Sequence, residues 1–257
     1  MGLRRIVVIV VCLCALPMLA QDRLSIAAAS DLQPVMSRVV SQFEKETGDK
    51  VNLSFGSSGN FFAQIQNGAP YDLFFSADAF YPQKLESAGL TQPDSYREYA
   101  TGKIVLWVPK DSKIDVSKGL NVLADAEVKK IAIADPQHAP YGRAAEAALK
   151  KAGIWEQVSP KIVLGENISQ TAQFVQSHSA EAGILALSLV LSPAMQDQGR
   201  YFEIPRTLYP ALRQAAVILK SAQHKEVAQR FMEFLRKPEI VSLFRQYGFE
   251  VSDGSDR

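Results

Sequence analysis

Small and hydroxyl-bearing residues follow three stretches of the sequence that the apolar pattern predicts to be buried strands. These residues lie at 27–31 (AAASD), 55–60 (FGSSGN) and 134–143 (ADPQHAPYGR). In an open α/β sheet, ligands bind beyond the carboxyl ends of the strands, where helices begin. The start of a helix offers backbone N–H groups without partners and about half a positive charge, and a serine there adds an O–H donor. Helix starts that face one point would therefore bind an anion without any Lys or Arg.

Ser30 and Ser58, the serines of this pattern, also have a simpler interpretation. A serine before a helix commonly caps it by accepting a hydrogen bond from the helix backbone. Asp31 follows Ser30, and its carboxylate would repel an anion, so we expect the side chain to turn outward and cap the helix while only its backbone faces the site. Arg143 is expected at the rim, where it either steers the anion or is a solvated residue of the helix start.

The sequence lacks the common motifs of nucleotide-dependent and metal-dependent enzymes. It has no G-x-x-x-x-G-K-[ST] loop and no H-E-x-x-H helix, and its three histidines show no metal-ligand spacing. The turn at 56–59 (GSSG) resembles a nucleophile elbow, but Asn60 stands where G-x-S-x-G requires glycine. We expect a binding protein without a cofactor, and an exported hydrolase that uses Ser57 or Ser58 stays an alternative.

The first 20 residues are predicted to be a secretory signal peptide. Arg4 and Arg5 precede an uncharged run to residue 20 that is shorter than the ~20 residues of a membrane span and ends in a small residue. Cys12 and Cys14 lie in this run, so the mature chain would be cysteine-free, as suits an oxidising compartment. Without the two arginines, 28 basic and 27 acidic residues become 26 and 27, a charge of −1. We therefore expect an exported protein that is not a generally basic nucleic-acid binder.

Strand and helix patterns alternate along the mature chain and predict parallel sheets covered by helices. Apolar residues between Leu32 and Phe43 recur with the 3.6-residue period of a helix, which Gly48 should end. Strands are predicted at 24–29, 51–55, 71–76, 103–108, 130–134, 161–164, 182–186 and 211–219, and further helices near 61–68, 144–152, 169–176, 227–235 and, after a break at Pro238, 240–247.

No flexible linker separates the two α/β halves of the chain. We therefore expect two extended segments, 103–108 and 211–219, to connect two lobes. The chain would leave the first lobe, build the second and return, so that its C-terminal helices complete the first lobe. The predicted organisation is a signal peptide at 1–20, a discontinuous lobe 1 at 21–105 and 214–257, and lobe 2 at 106–213.

Four segments together resemble the periplasmic molybdate-binding proteins of ABC importers, a branch of the two-lobed class II periplasmic binding proteins. The segments are 27–32 (AAASDL), 55–78 (FGSSGNFFAQIQNGAPYDLFFSAD), 134–153 (ADPQHAPYGRAAEAALKKAG) and 247–251 (YGFEV). The resemblance covers nearly the whole mature chain. It implies two lobes, each a mainly parallel sheet flanked by helices, that are joined by two hinge strands and bind a ligand between them.

The resemblance implies that neutral donors hold an oxyanion, molybdate or tungstate, with no protein atom bound to the molybdenum. The implied donors are Ser30 and Ser58 through hydroxyl and backbone groups, Tyr141 and Ile168 through backbone N–H groups, and Ser57 as an additional residue. Such a receptor would act as a monomer, carry no cofactor, and pass its ligand to an ABC permease in the inner membrane.

One position departs from the pattern of this family. Ala186 stands where some members carry a tyrosine that completes the site, and we expect the Tyr141 hydroxyl or the Asp31 backbone to compensate. A receptor for sulfate or another oxyanion stays an alternative. A ferric-iron receptor would need clustered tyrosinates and acids, whereas Tyr141 stands apart from the other tyrosines in the sequence.

Overall fold

A computed structural model describes residues 23–251, and the predicted signal peptide at 1–20 lies outside this range. Within it the strands are β1 (Arg23–Ala29), β2 (Lys50–Gly56), β3 (Leu73–Ser76), β4 (Arg97–Gly102), β5 (Ile104–Pro109), β6 (Ile131–Ala134), β7 (Ile162–Gly165), β8 (Ala182–Ala186), β9 (Gly199–Glu203) and β10 (Leu212–Ile218). The α-helices are α1 (Gln33–Thr47), α2 (Ser58–Gln66), α3 (Phe80–Ser87), α4 (Pro140–Lys151), α5 (Trp155–Val158), α6 (Ile168–Gln176), α7 (Leu187–Val190), α8 (Lys225–Phe234) and α9 (Pro238–Gln246). Short 3₁₀ helices lie at Ser30–Leu32, Val116–Ala124, Ser159–Lys161 and Arg206–Leu208.

The strands form two five-stranded sheets of the same design, and the predicted two-lobed α/β fold is confirmed. The strand orders are β2-β1-β3-β10-β4 and β7-β6-β8-β5-β9. In the first sheet β10 runs against the other four strands, and in the second sheet β5 does. Each sheet is therefore mixed, with its parallel strands grouped around β1 or β6. The carboxyl ends of β1, at Ala29, and of β6, at Ala134, lie within the first and third small-residue segments.

The chain changes sheet twice, over short connections. Lys103 alone separates β4 of the first sheet from β5 of the second, and the return runs from Glu203 at the end of β9 to Leu212 at the start of β10. The reversed strand of each sheet is thus the one that follows a crossing. The proposed lobe boundaries, after residues 105 and 213, lie two residues inside β5 and β10.

Each lobe has its own apolar core. Side chains of α1, α8 and α9 pack on one face of the first sheet, and those of α2 and α3 pack on the other face. One continuous cluster surrounds the second sheet. Because β6 and β8 are covered on both faces, their sequences IAIA and AGILA are unbroken apolar runs, and this is why the sequence predicted them.

Some elements and boundaries differ from the prediction. Strands β4 and β9 lie at sheet edges, and their partly exposed sequences REYATG and GRYFE lack the apolar run that marks a buried strand. Helices α4 and α9 begin at Pro140 and Pro238, earlier than expected, because proline suits the first helical position, where the missing N–H has no partner to lose. Gly48 ends α1 as predicted, with a φ of 80°.

The carboxylate of Asp72 anchors the C-terminal helices to the first lobe. Asp72 precedes β3, is 3% exposed, and accepts hydrogen bonds from the backbone of Ser25 in β1 and of Gln223 and His224 before α8. Its Oδ2 also lies 2.9 Å from Nδ1 of His224. Burial opposes ionisation of Asp72, but these hydrogen bonds outweigh it and lower the pKa below its ordinary value of 3.8. The carboxylate therefore ties three chain segments together.

We expect Asp72→Asn to lower the free energy of unfolding at neutral pH by about 2–4 kcal/mol, because the amide N–H₂ would face backbone donors. The folded-state pKa is below the unfolded value, so this stability is present above pH 3.8 and is lost as the pH falls through the folded pKa. Urea unfolding at neutral and acidic pH measures the difference. Asp49→Asn, which breaks an exposed pair with Arg230, is the control, and an equal loss in both variants would contradict the anchoring role.

Candidate functional site

A small cavity lies where the two lobes meet, at the carboxyl ends of the strands. The free space between its lining atoms is about 190 Å³, with the solvent at its mouth included. All the predicted site residues line it: Ser30, Asp31, Ser57, Ser58, Tyr141 and Ile168. The other lining residues are glycine, alanine and proline, so none of the described residues that line it is Lys, Arg or His. The dimensions and lining suit a small inorganic ion.

Three helices, one from the first lobe and two from the second, begin at this cavity. Ser58 is the first residue of α2, Ile168 is the first of α6, and Tyr141 is the second of α4. Backbone N–H groups in a first helical turn have no intrahelical acceptor, and the positive end of the helix dipole lies there. Their convergence supplies donors and positive potential to the cavity without a charged side chain.

Ser57 and Ser58 have different roles at the start of α2. Ser57 is the N-cap, and its Oγ accepts a hydrogen bond from the Asn60 N–H at 3.3 Å. Ser58 is fully buried, and its Oγ accepts from the Ala77 N–H at 3.0 Å. Since that bond uses a lone pair of Ser58, its hydroxyl proton is available to a ligand. The interpretation of Ser58 as a cap is wrong.

Ser30 does not cap its own 3₁₀ turn, but its Oγ accepts from the Ser169 N–H in the first turn of α6 at 3.4 Å. Its hydroxyl reaches across the cleft to Asn167 Oδ1 at 3.3 Å, and the Ser169 hydroxyl donates to its carbonyl oxygen at 3.1 Å. Asn167 is the N-cap of α6 and accepts from the backbone N–H groups of Ser169 and Gln170. Ser30 therefore lies against the start of a second-lobe helix. The sequence signal for Asn167 was its residue type, since asparagine is a favoured N-cap.

The expectation that the Asp31 side chain turns outward is wrong. The residue is 0% exposed, and its Oδ2 accepts from Gln214 Nε2 at 2.6 Å and from the Tyr141 hydroxyl at 3.0 Å. The physical reason is that β10 and α4 provide polar partners inside the fold, so the carboxyl group is enclosed rather than solvated. Burial raises the pKa of Asp31 to about 6, although the hydrogen bonds from Gln214 and Tyr141 act in the opposite direction.

Gln214 and Tyr99 extend this network, and sequence reasoning missed both. The Tyr99 hydroxyl donates to Gln214 Oε1 at 2.8 Å, while Gln214 Nε2 also lies 3.1 Å from the Tyr141 hydroxyl. The sequence contained a signal for Gln214, because a glutamine within the apolar strand LRQAAVI must be buried with polar partners, and Gln214 is fully buried. Burial raises the pKa of Tyr141 well above 10, so its hydroxyl stays a neutral donor. That hydroxyl joins the lobes through Asp31.

Further contacts hold the lobes together in a closed arrangement. The Gly59 N–H donates to the His138 carbonyl at 2.8 Å, and a Cβ atom on Gly59 would lie 2.6 Å from the His138 Cβ. Arg143 is at the rim, as predicted, with its side chain 37% exposed and paired with Asp78 of the first lobe. It also donates to the Tyr81 hydroxyl at 3.3 Å. The Arg143 charge is therefore largely matched by a carboxylate.

The described residues give little support to the alternative functions, a serine hydrolase or a ferric-iron receptor. Neither Ser57 nor Ser58 hydrogen-bonds a histidine ring within residues 23–251, as a hydrolase would require. In the same range no three His, Cys, Asp or Glu side chains gather as a metal site would need. None of the helices described is both long and apolar enough to cross a membrane. Ala186 ends β8 fully buried and does not line the cavity.

Comparison with known proteins gives a consistent result. The family model of bacterial extracellular solute-binding proteins matches residues 24–250. The molybdate-binding protein ModA of Azotobacter vinelandii is 41% identical over 224 residues, 87% of this chain and 88% of the relative. That of Rhodobacter capsulatus is 37% identical over 235 residues, 91% and 90% of the two chains. The solved periplasmic molybdate-binding protein of A. vinelandii, 35% identical, superposes with a TM-score of 0.85 over 90% of this chain and 100% of its own. This chain therefore belongs to the bacterial extracellular solute-binding protein family, and is a binding protein rather than an enzyme.

Proposed function

We propose that this protein is an exported periplasmic receptor that binds molybdate, and also tungstate, between its lobes and delivers it to an ABC permease. The observation that carries the proposal is the convergence of three helix starts and three serines on one small cavity. Relatives named as molybdate-binding proteins support the choice of ion. The predicted signal peptide at 1–20 and these relatives support export. The receptor works as a monomer without a cofactor.

Neutral donors suit a fully ionised tetrahedral dianion. Molybdate oxygens only accept hydrogen bonds, so the Ser58 hydroxyl and the backbone N–H groups match them, and the Ser30 hydroxyl does so when it turns from Asn167 Oδ1 to the ion. Hydrogen phosphate carries a proton and would need an acceptor in the site, whereas sulfate carries none and differs from molybdate mainly in size. Protonation state therefore selects against phosphate only while Asp31 is itself protonated, because its ionised carboxylate would be such an acceptor, and cavity dimensions must select against sulfate.

Ligand binding stabilises the closed arrangement because the donors come from both lobes. Ser58 belongs to the first lobe, while the N–H groups of Tyr141 and Ile168 belong to the second. An anion that accepts from both sets lowers the free energy of the closed state relative to an open one. The permease would then recognise the closed lobes and release the ion for import.

A thermal-shift panel tests the proposed function. Molybdate and tungstate should raise the melting temperature, because a ligand that binds only the folded state adds about 2.7 kcal/mol at one hundred times its Kd. Sulfate and phosphate should shift it much less at the same concentration. A larger shift with sulfate would make the protein a sulfate receptor, and no shift with any oxyanion would refute the proposal.

Ser58→Ala should weaken molybdate binding by about 1–3 kcal/mol, or roughly fivefold to 150-fold in Kd. The substitution removes a donor to the ion and leaves the Ala77 N–H without its acceptor. Isothermal titration calorimetry measures the change. Ser37→Ala, an exposed serine of α1, is the matched control and should bind like the wild type. An unchanged Kd in Ser58→Ala would count against this site.

Gly59→Ala should hinder closure while leaving each lobe folded, because its one clash within the first lobe, 2.6 Å from the Tyr81 hydroxyl, is with the end of a movable side chain. Its Cβ would lie 2.6 Å from the His138 Cβ and 2.7 Å from the His138 carbonyl oxygen. Overpacking of this kind costs about 1–3 kcal/mol, so molybdate affinity should fall about tenfold. Small-angle X-ray scattering should show less compaction on adding molybdate than in the wild type. Gln66→Ala, an exposed change on α2, is the control, and full compaction in Gly59→Ala would exclude this closed contact.

A further inference from the structure

The carboxyl group of Asp31 is the one feature of the cavity that conflicts with an acceptor-only dianion. Asp31 lines the cavity and is fully buried, and its Oδ1 has no hydrogen-bond partner among the described residues. A buried carboxylate oxygen without a donor is unfavourable in itself. An anion beside it would add electrostatic repulsion. An ionised Asp31 and a bound dianion are therefore poorly compatible.

We propose that Asp31 binds the oxyanion in its protonated form, with the carboxyl O–H on Oδ1 donating to a ligand oxygen, so that ion binding is coupled to the uptake of one proton. This inference rests on the proposed oxyanion-binding function. The proton comes from solvent and stays on Asp31 while the ion is bound, and it returns to solvent on release. No other bond forms or breaks.

The hydrogen bonds of Asp31 decide which oxygen carries the proton. Oδ2 already accepts from Gln214 Nε2 at 2.6 Å and from the Tyr141 hydroxyl at 3.0 Å. A proton on Oδ2 would compete with these two donors, whereas Oδ1 has no partner to lose. An O–H group on Oδ1 needs an acceptor, and the ligand oxygens are acceptors only. The ion therefore satisfies the group that the protein leaves unsatisfied.

No cation among the described residues pairs with Asp31, and burial outweighs the donors that favour its ionised form, which are Gln214, Tyr141 and the backbone of Asp31 and Leu32. Burial raises the pKa of Tyr141 from α4 and of Tyr99 from β4 well above 10, so both are neutral. Gln214 from β10 is an uncharged amide, and Ser188 from α7 donates its hydroxyl to the backbone carbonyl of Asp31. The α6 residues that reach this turn are uncharged, and Gln33, at the start of α1, is an amide. The rim charge of Arg143 is paired with Asp78.

Burial already raises the pKa of Asp31 to about 6 without a ligand. A neighbouring dianion would raise this pKa further, because a like charge disfavours ionisation. Above pH 6 the free protein holds Asp31 mostly ionised, and binding must then draw a proton from solvent. The affinity for molybdate should therefore fall about tenfold for each pH unit above 6.

Asp31→Asn tests the inference directly. The amide oxygen can keep the bonds to Gln214 and Tyr141, and the amide N–H₂ then supplies a permanent donor in place of the carboxyl O–H. Calorimetry with molybdate in buffers of different ionisation enthalpy should show uptake of close to one proton by the wild type above neutral pH, and none by the variant. The ratio of wild-type to variant Kd should rise about tenfold per pH unit. Asp49→Asn, at a surface carboxylate, should keep the wild-type behaviour.

Tyr141→Phe provides a second test, which measures the pH at which molybdate affinity is lost. That pH should not change if Asp31 serves only as a structural link between the lobes. The Tyr141 hydroxyl lowers the pKa of Asp31, so its removal should raise that pKa and shift the loss of affinity to higher pH. If Asp31 only joins the lobes, Asp31→Asn will weaken binding equally at every pH. Binding without proton uptake and with a pH-independent Kd would overturn the inference and leave the receptor function standing. No molybdate binding by any variant or the wild type would instead refute the proposed function.

Discussion

The close approach of helix starts from two lobes to one cavity is the constraint on which the site depends. Donors on a helix N-terminus can reach a small ion only if no side chain lies between them. Gly142 shows how closely α4 approaches β6, since a Cβ atom there would lie 2.1 Å from the carbonyl oxygen of Ala134 at the end of β6. The first turn of α4 can therefore begin directly against its strand. The small residues at the strand ends allow helix starts to approach the strands closely, and their role is not to make the chain flexible.

The topology connects the same cavity to the segments that join the lobes. Gln214 lies on β10, the strand that follows the return to the first sheet, and it hydrogen-bonds both Asp31 at the cavity and Tyr141 of the second lobe. Gly102 ends β4 at the other crossing, where a Cβ atom would lie 2.3 Å from the Tyr141 hydroxyl. Opening of the lobes must break or rearrange this buried network. The proposed ion site, the Asp31 carboxyl group and the segments that join the lobes therefore contact one another through this network.

Much of the fold could be predicted because its central strands are buried on both faces. Such strands are short apolar runs, and the helices between them carry apolar residues with a 3.6-residue period. Edge strands β4 and β9 escaped prediction because one side of each contacts solvent, so their sequences mix polar and apolar residues without a clear period. The other two edge strands, β2 (KVNLSFG) and β7 (IVLG), were predicted because they keep apolar residues at regular positions. An edge strand is therefore missed when its apolar pattern is lost, not because of its position in the sheet.

The sequence by itself placed Ser30, Ser58 and Tyr141 at strand-to-helix junctions, and the resemblance to molybdate-binding proteins added Ile168; the structure gathers all four at one cavity. Only the tertiary structure decided the direction of the Asp31 side chain. Its partners lie 110 and 183 residues away along the chain, on α4 and β10, and no local pattern reports them. Local sequence sets helix starts and strand ends through short-range sterics and hydrogen bonding. Burial of a carboxyl group depends on how two lobes close over it.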